Sequence, residues 1–168
     1  PETLFQIKEQ KLHTFALAGT AQAGQENELL HSKKDRYEHQ LVVDDLKEKL
    51  SPYALEVSVG ETGILKFKNI IHLKTNISAS LKVDVDLAGL TSLLSPTAAL
   101  GGYPKKAALD FLKRTHYQEK HPQRYFGSAF GVTSQEMNQF LVMIRNVQWQ
   151  EQQFFIESGG GVVPDSKL

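Results

Sequence analysis

The sequence predicts an α+β fold in which antiparallel β-sheets are backed by helices. Three observations indicate this class: β-favouring runs follow one another at both ends of the chain, two longer segments have helical spacing, and strands and helices do not alternate strictly. The doubly wound nucleotide-binding fold is therefore the weaker interpretation. With 168 residues, of which 40% are hydrophobic, the chain is long enough for one core and too short for two domains.

The first half of the chain is predicted to contain a hairpin, a long helix and three strands. The hairpin turns at Glu9-Gln10, and Gly19 with Thr20 ends its second strand. Apolar residues then recur at helical spacing until Ser51-Pro52 supplies a stop, and Gly60 with Gly63 marks the next turn. The predicted elements are strands 4–8 and 11–17, a helix over 26–50, and strands 55–59, 64–70 and 72–77.

The second half is predicted to contain two helices separated by a Gly- and Pro-rich loop, followed by three strands. The loop covers 95–104, and loops of this kind often form binding sites. Pro104 suits the first turn of the helix that follows. The predicted elements are helices 87–94 and 105–118 and strands 125–132, 139–147 and 152–157.

Composition excludes several classes of function. Basic and acidic residues number nineteen each, so no net field attracts a nucleic acid or an anionic membrane. The absence of cysteine excludes thiolate zinc sites and cysteine nucleophiles and fits a cytoplasmic protein. No apolar run approaches the roughly 20 residues that span a bilayer. The start at Pro1-Glu2, without an initiator methionine, suggests a piece of a longer sequence, and the oligomeric state stays open.

Two carboxylates on the long predicted helix are candidate metal ligands. Asp35 and Glu38 are three residues apart and fall in the same helical arc as Leu41, Val42 and Leu46. Carboxylates that face a core need a compensating cation, and an oxygen-preferring ion such as Mg²⁺ suits them. The alternative is that they form ion pairs with neighbouring basic residues on a solvated face.

Arg145 interrupts an apolar run over 141–147, and a guanidinium in such a setting can bind a planar anion such as a substrate carboxylate. An edge strand that points Arg145 to water is equally compatible with the pattern. The glycines at 159–161 could offer N–H groups to an anion or form a simple turn. The histidines lack metal-ligand spacing, and the common hydrolase and phosphate-loop motifs are absent.

Taken in order, several separate segments resemble the chorismate-binding enzymes, a family that includes isochorismate, salicylate, anthranilate and aminodeoxychorismate synthases. The matching segments run from the first residues to the last glycines. They are Pro1-Glu2, Leu17-Ala18-Gly19-Thr20, Lys34-Asp35-Arg36-Tyr37-Glu38-His39, His72-Leu73-Lys74-Thr75, Pro96-Thr97-Ala98-Ala99-Leu100-Gly101-Gly102-Tyr103-Pro104, Tyr125-Phe126-Gly127, Ile144-Arg145 and Gly159-Gly160-Gly161-Val162-Val163.

Within that family the chain resembles the isochorismate synthase type most. Ala18 stands where aminodeoxychorismate synthases carry a nucleophilic lysine, and 43–48 differ from the run that follows the Glu-His motif of anthranilate synthases. Thr75 and the Pro-Thr-x-Ala loop are similar to isochorismate and salicylate synthases. Two departures are Ser95-Pro96-Thr97-Ala98 for the family's His-Pro-Thr-Pro, and Ser158 to Gly161 for its Ala-Gly-Ala-Gly.

The resemblance implies specific roles. Glu2 would be the general acid that protonates the departing 4-hydroxyl of chorismate, Glu38 a magnesium ligand and Asp35 its support. The residues implied to bind substrate comprise a carboxylate-binding group, Tyr125, Arg145, Gly159 and Gly161, and a ring pocket, Gly19, Thr20, His72, Thr75 and Ala99.

The implied reaction is the magnesium-dependent conversion of chorismate to isochorismate, with water attacking C2 as the C4 hydroxyl leaves. The resemblance makes residues 1–168 a single partial domain, the C-terminal portion of a catalytic domain cut at both ends and so of low activity alone. The family's water-activating lysine and further metal-binding glutamates would lie outside it. Alternatives are a salicylate synthase, an anthranilate synthase-like enzyme, or a non-catalytic remnant that binds a chorismate-like ligand.

Overall fold

The computed structural model describes residues 2–83, 85–114, 125–159 and 162–163. Its strands and helices confirm the α+β class. In chain order they are β1 (Glu2–Lys8), β2 (Lys11–Gln22), α1 (Glu26–His31), α2 (Lys33–Leu50), β3 (Ala54–Lys66), β4 (Ile70–Leu81), α3 (Leu87–Leu94), α4 (Ala98–Gly101), α5 (Lys105–Arg114), β5 (Ala129–Thr133), β6 (Asn138–Val142), β7 (Val147–Gln150) and β8 (Gln153–Ile156). A short 3₁₀ turn, Ser51–Tyr53, joins α2 to β3.

Six strands form one antiparallel sheet in the order β3-β4-β2-β1-β6-β5, and β7 with β8 forms a separate hairpin. The predicted hairpin between the first two strands is confirmed, with Lys8 opposite Lys11. Strand β1 also pairs with β6, which places Glu2 directly opposite Val142. The beginning and the end of the chain therefore meet in the centre of the sheet.

Helix α2 lies across β2 and β4 and closes the main core. Its buried face repeats at helical spacing, as a helix that packs on a sheet requires. Leu90 and Leu94 of α3 complete the same core. The buried apolar residues on these elements include Leu4, Phe5, Leu12, Ala16, Val42, Val43, Leu46, Leu50, Ile77, Ala79 and Val142.

The helix predicted over 26–50 is two helices. Ser32 has extended backbone angles, φ −63° and ψ 114°, and caps α2 by accepting a hydrogen bond from the Asp35 N–H at 3.2 Å. The hydroxyl oxygen satisfies one of the free N–H groups at a helix start, so a new helix begins there. The prediction of one continuous helix was wrong at this point.

The three strands predicted between 55 and 77 are two longer ones. Chain reversal occurs after Lys66, where the Phe67 N–H donates to the Ile70 carbonyl at 2.9 Å. Gly60 lies inside β3, where the register shifts between Val59 and Thr62. The glycines thus mark a β-bulge instead of the predicted turn.

The last strands are shorter than predicted. The run over 139–147 ends as a strand at Val142. The Met143 N–H still donates to the Ser128 carbonyl, next to β5, and the Ile144 N–H then turns back to the Val142 carbonyl, both at 2.9 Å. Arg145 therefore lies in a bend and not in mid-strand. Strand β5 begins at Ala129, so Tyr125 precedes it.

The helix predicted over 105–118 is observed through Arg114, and residues 115–118 lie outside the described residues. The predicted helix over 87–94 coincides with α3. Among the helices described, none has the length and apolar character needed to cross a bilayer.

Candidate functional site

One side of the candidate site is formed by a bulge in β2. The register of β2 on β4 shifts between Ala18 and Thr20, and Gly19 there has a φ of +77°. A side chain at Gly19 would place its Cβ 3.1 Å from the Asp35 Cβ and 3.2 Å from the Leu73 Cδ1. The lack of a side chain lets the start of α2 approach β2 closely, and the bulge carries the strand past Gly19 to Gln22, beyond its predicted end.

Thr20 and His72 face each other across β2 and β4. The Thr20 Oγ1 and the His72 Nδ1 are 2.8 Å apart, and the edge of the Phe67 ring packs against the imidazole. His72 is only 8% exposed, and its Nε2 is buried without a hydrogen-bond partner among the described residues. Burial lowers the pKa of His72, as does the nearby charge of Arg145. Burial therefore favours the uncharged form of His72, with Thr20 at one ring nitrogen and the Gly19 backbone beside the ring.

Glu2 and Arg145 form the second part of the site. Burial raises the pKa of Glu2 to about 7, and the positive charge of Arg145 opposes that rise. Arg145 has a φ of +54°, in the left-handed region, and its side chain is exposed. The charge of Arg145 thus acts on both Glu2 and His72, and we refer to these three residues together as the Glu2–His72–Arg145 group.

The two candidate metal ligands are half-buried, between the core-facing and the solvated position, and Asp35 lies against Gly19 at the bulge. The side chain of Asp35 is 19% exposed, and its carboxylate accepts a hydrogen bond from the Ser32 hydroxyl. Burial raises the pKa of Glu38, the charge of Asp35 raises it further, and Lys34 opposes both. Of the ion pairs predicted as the alternative, the described part of the chain shows one long contact, 3.9 Å from the Lys34 Nζ to the Asp35 Oδ1.

These two carboxylates fit a magnesium site in part. Two like charges that are partly withdrawn from water favour a proton or a cation, and carboxylate oxygens are ligands that Mg²⁺ prefers. Within the described ranges, no three His, Asp or Glu side chains come together as a metal site. Glu38, with Asp35 behind it, would therefore provide one edge of the coordination.

Thr75 forms a buried polar link between α2 and the sheet. It is 1% exposed and lies between α2 and the sheet, where its Oγ1 is 2.7 Å from the His39 Nε2 and 2.7 Å from the Thr62 Oγ1. His39, which follows Glu38 in the chain, is 2% exposed. Thr75 thus connects α2 to β4 and β3, and its contact with a ring pocket stays a prediction.

Sequence reasoning did not single out His39 or Thr97. Burial lowers the pKa of His39, with the Ala18 carbonyl beside the ring opposing that shift. Its Nδ1 nevertheless has no well-formed hydrogen bond among the described residues. The Thr97 Oγ1 is likewise buried without such a partner. The signal for His39 was its place in the Glu-His pair, and for Thr97 its place in the 95–104 loop.

The remaining predicted site residues are less connected. Ala99 lies in α4, half-buried against the main core. Tyr125 is 58% exposed, and its N–H donates to the Gln148 Oε1 at 3.3 Å. Gly159 is exposed, with nothing within 4 Å of the position of an added Cβ. Gly161 lies outside the described residues, so its role and those of Tyr125 and Gly159 stay predictions.

Comparison with known proteins identifies the class. The profile of the chorismate binding enzyme family matches residues 1–168. The chain is 34% identical to the salicylate biosynthesis isochorismate synthase of Pseudomonas aeruginosa, over 99% of this chain and 37% of that protein. It is 30% identical to isochorismate synthase MenF of Pasteurella multocida, over 99% of this chain and 41% of that protein.

A solved structure agrees with these relatives. The menaquinone-specific isochorismate synthase of Escherichia coli superimposes with a TM-score of 0.78 and 28% identity, over 88% of this chain and 35% of that one. The chain belongs to the chorismate-binding enzyme family. It spans less than half the length of the two curated relatives, 37% and 41%.

Proposed function

We propose that the chain is the C-terminal part of the catalytic domain of an isochorismate synthase, which converts chorismate to isochorismate in the cytoplasm. Two curated relatives and one solved structure with that activity in their names support the proposal. The observation that carries it is that the charge of Arg145 acts on both Glu2 and His72, while Gly19, next to the Thr20 that faces His72, lies against Asp35 of α2. A dicarboxylate substrate needs cationic partners, and a leaving hydroxyl needs an acid.

Glu2 is the proposed general acid. A carboxyl group with a pKa of about 7 keeps a large protonated fraction near neutral pH, so it can give a proton to the C4 hydroxyl as the C–O bond breaks. Water forms a bond to C2, loses a proton, and the C4 oxygen leaves as water. The reaction is therefore an isomerisation with no redox change.

Arg145 and His72 are the proposed binding groups next to this acid. The guanidinium offers planar, paired donors to a substrate carboxylate, and Arg145 lies exposed in the bend that follows β6. The His72 Nε2, which has no well-formed hydrogen bond among the described residues, is the proposed partner of the ring substituents. Gly19 brings the start of α2, with Asp35, close to the strand that carries Thr20.

Magnesium is the proposed cofactor, with Glu38 as ligand and Asp35 as its support. When bound, Mg²⁺ would neutralise a carboxylate of chorismate. The role of the protein is to hold Glu38 half-buried at the first turns of α2, where the Ser32 cap fixes the helix start. One relative is named for salicylate biosynthesis and the solved structure is named as menaquinone-specific. The proposal therefore names isochorismate as the product and no later step.

Two variants of the full polypeptide that carries this chain test the assigned roles. Glu2→Gln should lower kcat for chorismate by about 100- to 10,000-fold while leaving substrate binding intact, because a general acid acts in the transition state. Glu38→Gln should first raise the Mg²⁺ concentration needed for half-maximal binding. Equal, modest losses in both variants, or anthranilate formed from ammonia as the main product, would refute these roles.

A further inference from the structure

The loop between α3 and α5 is held together at its base by one side chain. Lys105, the first residue of α5, directs its Nζ to three backbone carbonyls, those of Ser92 at 2.9 Å, Leu93 at 2.7 Å and Ser95 at 2.8 Å. An ammonium group has three donors, so all of them are used. The side chain thereby joins the two ends of the 95–104 loop.

The acceptors are carbonyls at the C-terminal end of α3, where helix carbonyls lack partners within the helix. The last turn of α3 contains no basic residue of its own. A cation at this end is favoured by the helix dipole, and hydrogen bonds from a charged donor are stronger than neutral ones. Lys105 therefore supplies, from outside α3, the positive charge that the last turn of α3 lacks.

Lys49, the cation whose charge acts on Lys105, is not available to replace it. Burial lowers the pKa of Lys105, the charge of Lys49 lowers it further, and Asp45 opposes the shift. Lys49 is itself paired with Asp45 on α2, and the two side chains are 9% and 4% exposed. Loss of the Lys105 charge would leave the three carbonyls without a charged donor.

Residues inside the loop pack closely against one another, so the loop is expected to move as one rigid segment. An added Cβ at Gly101 would lie 2.6 Å from the Pro96 Cγ, and one at Gly102 would lie 2.7 Å from the Ala108 Cβ. Ala99 and Leu100 pack against the main core. A shift at the base of the loop therefore moves the segment that contains Ala99.

We propose that Lys105 is a positioning residue for substrate binding, which sets the 95–104 loop against the site by tying its base to the end of α3. This inference rests on the proposed function, because the loop is taken as a wall of the chorismate pocket. Lys105 does not touch the substrate. Its removal should loosen the loop and weaken binding while leaving the acid Glu2 in place.

The test compares Lys105→Met and Lys105→Arg with Lys106→Met as the matched control, since Lys106 is the exposed neighbour on the same helix. In the full polypeptide, Lys105→Met should raise KM for chorismate about 10-fold, as expected for loss of charged hydrogen bonds, with kcat changed less than about 2-fold. The amides of Leu100 and Gly101, which donate to the Thr97 carbonyl, should exchange with deuterium about 10-fold faster.

Lys105→Arg should recover part of both effects, and Lys106→Met should match the unsubstituted protein. A Lys105→Met variant that matches Lys106→Met in either KM or amide exchange would overturn the inference alone. An unsubstituted polypeptide that binds and converts no chorismate would instead overturn the proposed function, and with it the substrate role of the loop. A lower melting temperature with unchanged KM would also count against the inference, since it would show stabilisation without positioning.

Discussion

Glu2 and Arg145 are the residues on which the proposed chemistry depends most. Glu2 is a carboxyl group whose pKa of about 7 results from burial, with Arg145 acting in the opposite direction. Arg145 has left-handed backbone angles, which cost a non-glycine residue roughly 1–2 kcal/mol. Strain of this kind is kept where the surrounding structure needs a side chain in one direction.

The first prediction is a pH dependence. Glu2 must be protonated to act as an acid, so kcat/KM should fall as pH rises through about 7, the pKa of Glu2. The measurement is a pH profile of initial rates from pH 5.5 to 9. A flat profile across this range would contradict the role of Glu2.

The second prediction concerns the charge beside that acid. Because Arg145 lowers the pKa of Glu2, Arg145→Gln should move the falling limb of the profile to higher pH as well as weaken substrate binding. Arg36→Gln, on the exposed face of α2, is the control and should leave the limb unchanged. A limb that stays in place in Arg145→Gln would show that the two groups are not coupled.

The third prediction tests the bulge at Gly19. Gly19→Ala should lower the free energy of unfolding by about 2–4 kcal/mol, since it combines an unfavourable positive φ with close contacts. Gly24→Ala has a positive φ in open space and should cost about 1 kcal/mol, and Gly63→Ala, with neither feature, should cost nothing. Urea denaturation measures all three. Equal losses of unfolding free energy at positions 19 and 24 would mean that Asp35 shifts to make space for the added methyl group.

At the scale of secondary-structure elements, α2 is fixed to the sheet by polar as well as apolar contacts. The Ser32 cap fixes its start, and His39 with Thr75 links its middle to β4. The sequence carried the cap signal as a Ser followed three residues later by an acid, yet periodicity over 26–50 favoured one helix. The Ser32 cap therefore starts a new helix although the helical spacing of apolar residues continues through it.

The fourth prediction concerns that polar link. Thr75→Val keeps the shape but leaves the His39 Nε2 buried without its partner, so it should destabilise the protein by about 1–3 kcal/mol. Thr75→Ser, which keeps the hydroxyl, should cost less. Thermal or urea unfolding of the pair decides the matter, and a Ser variant that is less stable than the Val variant would show that packing outweighs the hydrogen bond.

Strand boundaries show which elements the sequence could predict. The first hairpin and α3 follow from local patterns, and both are confirmed. The end of β6 at Val142 coincides with a tight turn, in which the Ile144 N–H donates back to the Val142 carbonyl. An apolar run cannot reveal that, which is why Arg145 was expected in mid-strand.

For the whole molecule, the α+β class followed from composition and element order, and the family from an ordered set of short segments. The clustering of the site did not follow from either. Glu2 and Arg145 lie at opposite ends of the chain, and β1 pairing with β6 brings them together. Long-range strand pairing of this kind depends on the completed sheet, not on local sequence.

The most direct test of the central claim is the product formed from chorismate and Mg²⁺ by the full polypeptide that carries this chain. We expect chromatography to show isochorismate in equilibrium with chorismate, formed only with Mg²⁺ and lost in Glu2→Gln. Isochorismate formation that persists in Glu2→Gln, or no turnover of chorismate by the unsubstituted protein, would contradict the account.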